Sequence, residues 1–245
     1  MRAYRDFGLI GKKVVVLGGT SGIGLATAIA AANEGASVVI VSSNQKNVDK
    51  ALLILPKESL GFAADLNDEK QVAELFGKIG KFDHLIFTAG DTLRFEELSV
   101  IDIYEAKQSI NLRFWAAIIA AKHGAPLIKA GGSITLTTGA LGKRPKKGTI
   151  VIAGIASAIH GLTRALAVEL APIRVNAVAS GTVRTKLLKN LSDTDRDALF
   201  EQVGSKLLTG SVGDPGDLAE AYLYLMRGKF TTGQIIIADG GSLLV

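Results

Sequence analysis

The 245 residues include 48% hydrophobic side chains and 28 glycines but only 5 prolines, which is enough apolar mass for one sizeable core and excludes a repeat array or a disordered tract. The absence of cysteine rules out disulfides, thiolate metal sites and a cysteine nucleophile, and the only histidines, His84, His123 and His160, are too scattered to suggest a metal centre. The formal charge of +5 is dispersed rather than gathered in a tract, which argues against nucleic acid as a partner.

No stretch reaches roughly 18 uncharged apolar residues, because Glu34, Lys122 and Arg164 interrupt the longest ones, so no membrane partner is expected. Lys12 and Lys13 arrive before any apolar signal core could follow the charged start, which leads to the expectation of a cytoplasmic protein. One domain over 1–245 is expected.

Short β-branched runs at 14–17, 37–41, 59–63, 84–87, 133–137, 174–179 and 234–238 read as strands, each followed by a longer stretch with helical spacing. This alternation predicts an α/β fold: a Rossmann-like, doubly wound parallel sheet of about seven strands with helices on both faces. Helices expected near 100–128 and 149–170 are apolar nearly all round. Such helices need cover on two sides, so a homodimer or homotetramer joined through them is expected.

Directly after the first strand come Gly18, Gly19, Thr20, Ser21, Gly22, Ile23 and Gly24, and then an alanine-rich helix. Positions without side chains let backbone approach a pyrophosphate, and the helix N-terminus offers N–H groups and a favourable dipole to the anion. The second strand ends in Ser42, Ser43 and Asn44, where an NAD-preferring site would carry a carboxylate for the ribose hydroxyls. Neutral donors with Lys46 nearby suit a 2′-phosphate, so NADP is expected over NAD, although no arginine is present to mark it.

These features, with Asp65 and Leu66 after the third strand, Thr88, Ala89 and Gly90 after the fourth, Asn111, the run 165–170, the run 174–178, the run 180–185, and the C-terminal 232–234 and 239–241, make the chain resemble the short-chain dehydrogenase/reductases along nearly its whole length. The resemblance implies that Asp65 and Leu66 hold the adenine, that Thr88, Ala89 and Gly90 line the ribose and sheet edge, and that Val183 and Thr185 meet the nicotinamide carboxamide. Gly181 joins the same cofactor set, while Ser180 stands where the family usually has proline.

The family's catalytic serine, tyrosine and lysine align with Gly139, Ile152 and Ala156. No register shift restores the pattern, because the tyrosines are Tyr4, Tyr104, Tyr222 and Tyr224 and no lysine lies between Lys147 and Lys186. Candidates for a remaining catalytic role are Thr138, a hydroxyl beside the missing serine; Asn111, at the family's fourth catalytic position; and Arg113, an arginine among Leu112, Phe114 and Trp115 that needs a reason. Each has a structural alternative: strand-end threonine, helix-backbone partner and ion pair. His160 is expected at the surface, and residues 143–147 form a basic loop at the expected mouth of the site.

Residues 87–89, 113–114, 135–139, 143–145 and 172–176 further resemble an atypical bacterial and fungal subset of the family. That subset lacks the Tyr-x-x-x-Lys pair and includes NADPH-dependent reductases that double as cyclases. Here Lys146, Lys147, Gly148 and Thr149 replace the Pro-Gly-Trp that often follows Arg-Pro, so the roles of those residues do not transfer. The expected function is hydride transfer to a small molecule needing little acid catalysis, such as an imine or activated alkene. The alternatives are a non-catalytic NADP(H)-binding sensor or partner subunit, and a non-redox lyase or cyclase. Specificity is expected to depend on the segment from Thr185 to Asp214.

Overall fold

The computed structural model describes residues 8–185 and 192–245. Lys186, Leu187 and Leu188 of the expected specificity segment lie outside the described residues.

Seven strands form one parallel sheet: β1 (Lys13–Leu17), β2 (Ser37–Ser42), β3 (Leu60–Ala63), β4 (Phe82–Phe87), β5 (Ile128–Gly139), β6 (Arg174–Ser180) and β7 (Ile235–Ala238), in the order β3-β2-β1-β4-β5-β6-β7. Alternate residues of each strand enter two separate cores, as the two-residue period of a strand requires. On one face Val15, Leu17, Leu85, Phe87 and Leu136 pack against α3 (Glu69–Ile79), α5 (Ala116–Gly124) and α6 (Ile150–Glu169). On the other, Val14, Val16, Ile40 and Ile86 meet α1 (Gly22–Asn33), α2 (Gln45–Leu52) and α8 (Pro215–Arg227), the helix that follows α7 (Asp193–Gly204). The doubly wound architecture read from the sequence is the one observed.

The expected helix over 100–128 is divided. The side chain of Asp102 accepts the Glu105 N–H and starts α4 (Ile103–Ile110) later than the apolar pattern suggests. A π-helical turn, Asn111–Trp115, then leads into α5, and β5 begins at Ile128, five residues before the β-branched run. Helix α6 is long and apolar enough to cross a membrane by length and composition, but in the fold it lies on β5 and β6. The expected surface position of His160 is corrected: the residue is 7% exposed, packed beneath Gly142. Burial, followed by the charges of Lys143 and Arg164, lowers its pKa.

Two ionisable residues at the start of β4 link the fold to pH. The Asp83 carboxylate accepts the Lys13 N–H (2.9 Å) and pairs with Lys12 (3.1 Å) and Lys129 (3.3 Å). Burial opposes its ionisation, yet these donors outweigh burial and keep its pKa low. Its neighbour His84 shares a 2.9 Å hydrogen bond with Ser133, and burial, then Arg174, pushes its pKa down to about 4.

Because the folded His84 pKa is depressed, the unfolded chain binds a proton first as pH falls, and stability present above 6.5 is lost on the way to about 4. Urea unfolding across that window is expected to lose on the order of 2–3 kcal/mol from this group, and His84→Gln is expected to flatten the slope.

Candidate active site

The carboxyl ends of β1 to β6 open on one cavity of ≈ 890 Å³ that takes in the crevice between β1 and β4, where the strand order reverses. In open α/β sheets this crevice is where ligands bind. The geometry there depends on contacts that only glycine permits. Gly18 has a φ of +86°, and a Cβ on it would fall 2.6 Å from the Ala89 nitrogen. A Cβ on Gly24 would fall 2.3 Å from the Gly18 carbonyl oxygen and 2.4 Å from the Thr88 hydroxyl, which itself donates to the Leu17 carbonyl at 3.0 Å. The first turn of α1 is thus drawn against the end of the sheet. Ser21 sits at its N-cap without a side-chain cap, so the turn's N–H groups face a cavity also lined by Thr20, Gly22 and Ile23.

At the end of β2 the cavity is lined by Ser42, Ser43 and Asn47. Asn44 is not part of the wall: its side chain caps α2 by accepting the Asn47 N–H at 3.4 Å. The sequence reading named Asn44 and missed Asn47, whose signal was its place in the first turn of the helix that Asn44 starts. Asp65 and Leu66 line the next sector, where the Asp65 carboxylate accepts the Asn67 N–H at 2.9 Å. Thr88, Ala89 and Gly90 line the centre, and Gly181, Val183 and Thr185 the far side. Gly181 is pressed against Asp239, where a Cβ would approach within 2.7 Å.

The three candidates for remaining chemistry separate. Arg113 lines the cavity and is also ion-paired: Nε donates to Asp91 Oδ1 at 3.0 Å, Nη2 to the Asp91 carbonyl at 2.6 Å, and the guanidinium lies over Gly90. Ser109 donates to the other Asp91 oxygen at 2.5 Å. Asn111 opens the π-helical turn, is exposed and lies outside the cavity wall, because that turn presents Arg113 instead. Thr138 lines the cavity, but its hydroxyl donates to the Ala156 carbonyl at 3.1 Å, so its proton is directed into the β5–α6 contact. Thr137 is similarly engaged, with the Phe87 carbonyl at 2.7 Å and the Tyr222 hydroxyl at 2.6 Å.

Gly139, Ile152 and Ala156 all line this cavity. A Cβ on Gly139 would have nothing nearer than 4.0 Å, so the position has room for a side chain that the sequence does not supply. Ile152 and Ala156, four residues apart, lie on one face of α6. No tyrosine lines the cavity among the described residues. Tyr222 is fully buried against Thr137, which burial reinforces by raising its pKa; Tyr224 pairs with Thr231; and Tyr104 is exposed on α4.

A family model described as an SDR-like Rossmann domain matches residues 7–245. The chain is 39% identical over 249 residues to the short-chain dehydrogenase/reductase ATR9 of Stachybotrys chlorohalonatus, covering 96% of this chain and 98% of the relative. It is 32% identical to the short-chain dehydrogenase/reductase malC of Malbranchea aurantiaca, covering 99% and 98%. Among solved structures it superimposes on a small-chain dehydrogenase in complex with NADPH with a TM-score of 0.85 at 40% identity, covering 96% of this chain and 99% of that one. The MalC reductase/Diels-Alderase gives a TM-score of 0.90 at 31% identity, covering 98% and 100%.

Gly24→Ala is expected to force apart the contact between α1 and the sheet end and to weaken nucleotide binding at least about 10-fold, with a lower melting temperature. Dye-based thermal unfolding with and without NADPH checks both effects. A ligand-induced shift equal to that of the unaltered chain would contradict the geometry.

Proposed function

The chain belongs to the short-chain dehydrogenase/reductase family, and on that premise we propose that it is an atypical NADP(H)-dependent oxidoreductase that transfers hydride to a carbon needing no protein-borne acid, such as an imine or activated alkene. The observation that carries this reading is the pairing of a glycine-built nucleotide cradle with Gly139, Ile152 and Ala156 in the same cavity.

The cradle fits the cofactor: the close approaches at Gly18, Gly24 and Gly181 leave backbone where side chains would otherwise obstruct it. In this reading the first turn of α1 holds the pyrophosphate, Asp65 and Leu66 hold the adenine, and Val183 and Thr185 hold the carboxamide. Ser43 and Asn47 take the 2′-phosphate, since no carboxylate stands at the end of β2 to repel it. A bound NADPH would supply hydride. The NADPH-bound relative supports the same choice of cofactor.

Ile152 and Ala156 then form an apolar floor that orients the acceptor carbon and keeps water away from it. Reduction of a ketone generates a localised alkoxide that needs a proton, whereas hydride addition to an imine already protonated by solvent neutralises a positive charge and yields a neutral amine, and addition to an activated alkene gives a delocalised carbanion that takes its proton from solvent. Arg113, held rigidly by Asp91, orients electron-rich parts of the substrate. Template chemistry of the kind named for the Malbranchea reductase/Diels-Alderase is a second reading, favoured by the same apolar floor.

Fluorescence titration is expected to show tighter binding of NADPH than of NADH, and failure of both to bind at millimolar levels would overturn the cofactor assignment. NADPH consumption is expected with cyclic imines or activated enones, and simple ketones are expected to react about 10²-fold to 10⁴-fold more slowly. Ketone turnover as fast as imine turnover would contradict the role given to Ile152. Tight NADPH binding with no turnover across the panel would favour a sensor or partner subunit.

We also propose assembly as a homodimer or homotetramer through α4–α5 and α6, where Ile103, Tyr104, Trp115, Ile150 and Val168 are exposed. Sedimentation velocity is expected to give a mass at least twice that of one chain, and Val168→Glu is expected to lower it. A monomer at micromolar concentration would refute the assembly.

A further inference from the structure

The wall of the cavity opposite α6 includes Ser242 and Leu243, from a segment far in sequence from the nucleotide loop. This segment, 239–245, is folded on a single side chain. The Asp239 carboxylate accepts the Gly241 N–H (2.9 Å), the Ser242 hydroxyl (2.8 Å) and the Leu243 N–H (3.0 Å), while the Leu244 N–H reaches the Gly241 carbonyl at 2.9 Å. Positive φ at Gly240 and Gly241 turns the chain back across the opening, and a Cβ on either glycine would meet Thr209 or Leu208. The root of the segment is fixed, since the Gly181 N–H donates to the Ala238 carbonyl at 3.0 Å and Gly181 abuts Asp239.

The free side of the segment is held differently. Arg144, from the basic loop after β5, donates Nη1 to the Ser242 carbonyl at 3.3 Å and to the Val245 carbonyl. Arg144 is exposed and pairs with no Asp or Glu side chain among the described ion pairs. Hydrogen bonds in contact with water open at modest cost, and with them gone the outer end of the Asp239 turn, which includes the Leu243 and Leu244 N–H bonds, opens more often while its root at Gly181 holds. Besides Leu243 the same cavity is lined by the apolar Leu141, Ile152, Leu199, Val203 and Leu207, and by charged residues that include Arg113, Lys146 and Lys147.

We propose that residues 239–245 form a flap over the substrate half of the cavity, that Arg144 is its latch, and that Leu243 sets the bulk of the apolar substrate admitted. The substrate class follows from the wall: a largely hydrocarbon body, with the reducible group directed at the Gly139 and Ile152 end. The choice of a reducible group rests on the proposed oxidoreductase reading, while the latch itself does not depend on it.

Hydrogen exchange read by mass spectrometry tests the latch without turnover. Arg144→Ala is expected to speed exchange at the Leu243 and Leu244 amides by about fivefold, with Arg144→Lys intermediate and exchange in residues 18–24 unchanged. Exchange at 243–244 equal to that of the unaltered chain would overturn the latch. Leu243→Ala and Leu243→Trp test the bulk filter on the imines turned over by the unaltered enzyme: Ala is expected to lower KM for bulkier members and Trp to raise it, with NADPH affinity held. KM values unmoved by either substitution would overturn the filter. If no imine is turned over by the unaltered enzyme, the oxidoreductase reading fails separately, and binding of an apolar fluorescent naphthalene probe replaces KM, with Trp expected to weaken it and an unchanged affinity counting against the filter.

Discussion

The site depends on the contact of α1 with the ends of β1 and β4. The Gly24 backbone lies where a side chain would strike both the Gly18 carbonyl and the Thr88 hydroxyl, and Thr88 is itself tied to the Leu17 carbonyl. This three-way approach fixes the helix N-terminus over the one crevice of the sheet where the strand order reverses. The remaining parts of the cavity are positioned relative to it: the end of β2 on one side, and β5, β6 and α6 on the other. The two apolar cores on the faces of the sheet hold the strands in register beneath it.

Much of the fold was legible because a buried parallel strand announces itself as a β-branched run and each helix here has to cover one face of the sheet. The glycine loop was legible for a related reason: it needs residues with no side chain at fixed spacing, and the sequence has no other way to meet that need. The break in the long helix was not, since it depends on how Asp102 caps α4 and on the five-residue π-helical turn, and an apolar pattern runs through both without interruption. The burial of His160 depends on the loop at Gly142 folding over α6, a tertiary contact with no local signature. Asn44 caps α2 while Asn47 lines the cavity for the same kind of reason: either can cap a helix or face a cavity, and only the backbone direction at the end of β2 decides. The bonds from Arg144 to Ser242 and Val245 join residues about a hundred positions apart and had no trace in the local pattern.

The chemistry follows from what the cavity combines. Hydroxyls near the expected reaction centre are committed inward, Thr138 to Ala156 and Thr137 to Phe87 and Tyr222, while Arg113 is held by Asp91. Ile152 and Ala156, which line the same cavity, carry no proton to give. In the proposed reading such a site favours acceptors whose charge falls, or whose new charge is delocalised, when hydride arrives, and disfavours those that develop a localised alkoxide.

The most direct test of that account is the pH dependence of single-turnover hydride transfer from NADPH to a preformed, N-alkylated iminium ion, which has no N–H to titrate. The account predicts a rate constant that stays flat from about pH 6 to about pH 9 for the iminium, and one about 10²-fold to 10⁴-fold lower for the matching ketone, because no protein acid is there to protonate its alkoxide. A matching ketone reduced as fast as the iminium, with a rate that falls with rising pH along a single-ionisation curve, would show that a side chain donates a proton to the alkoxide, and would contradict it.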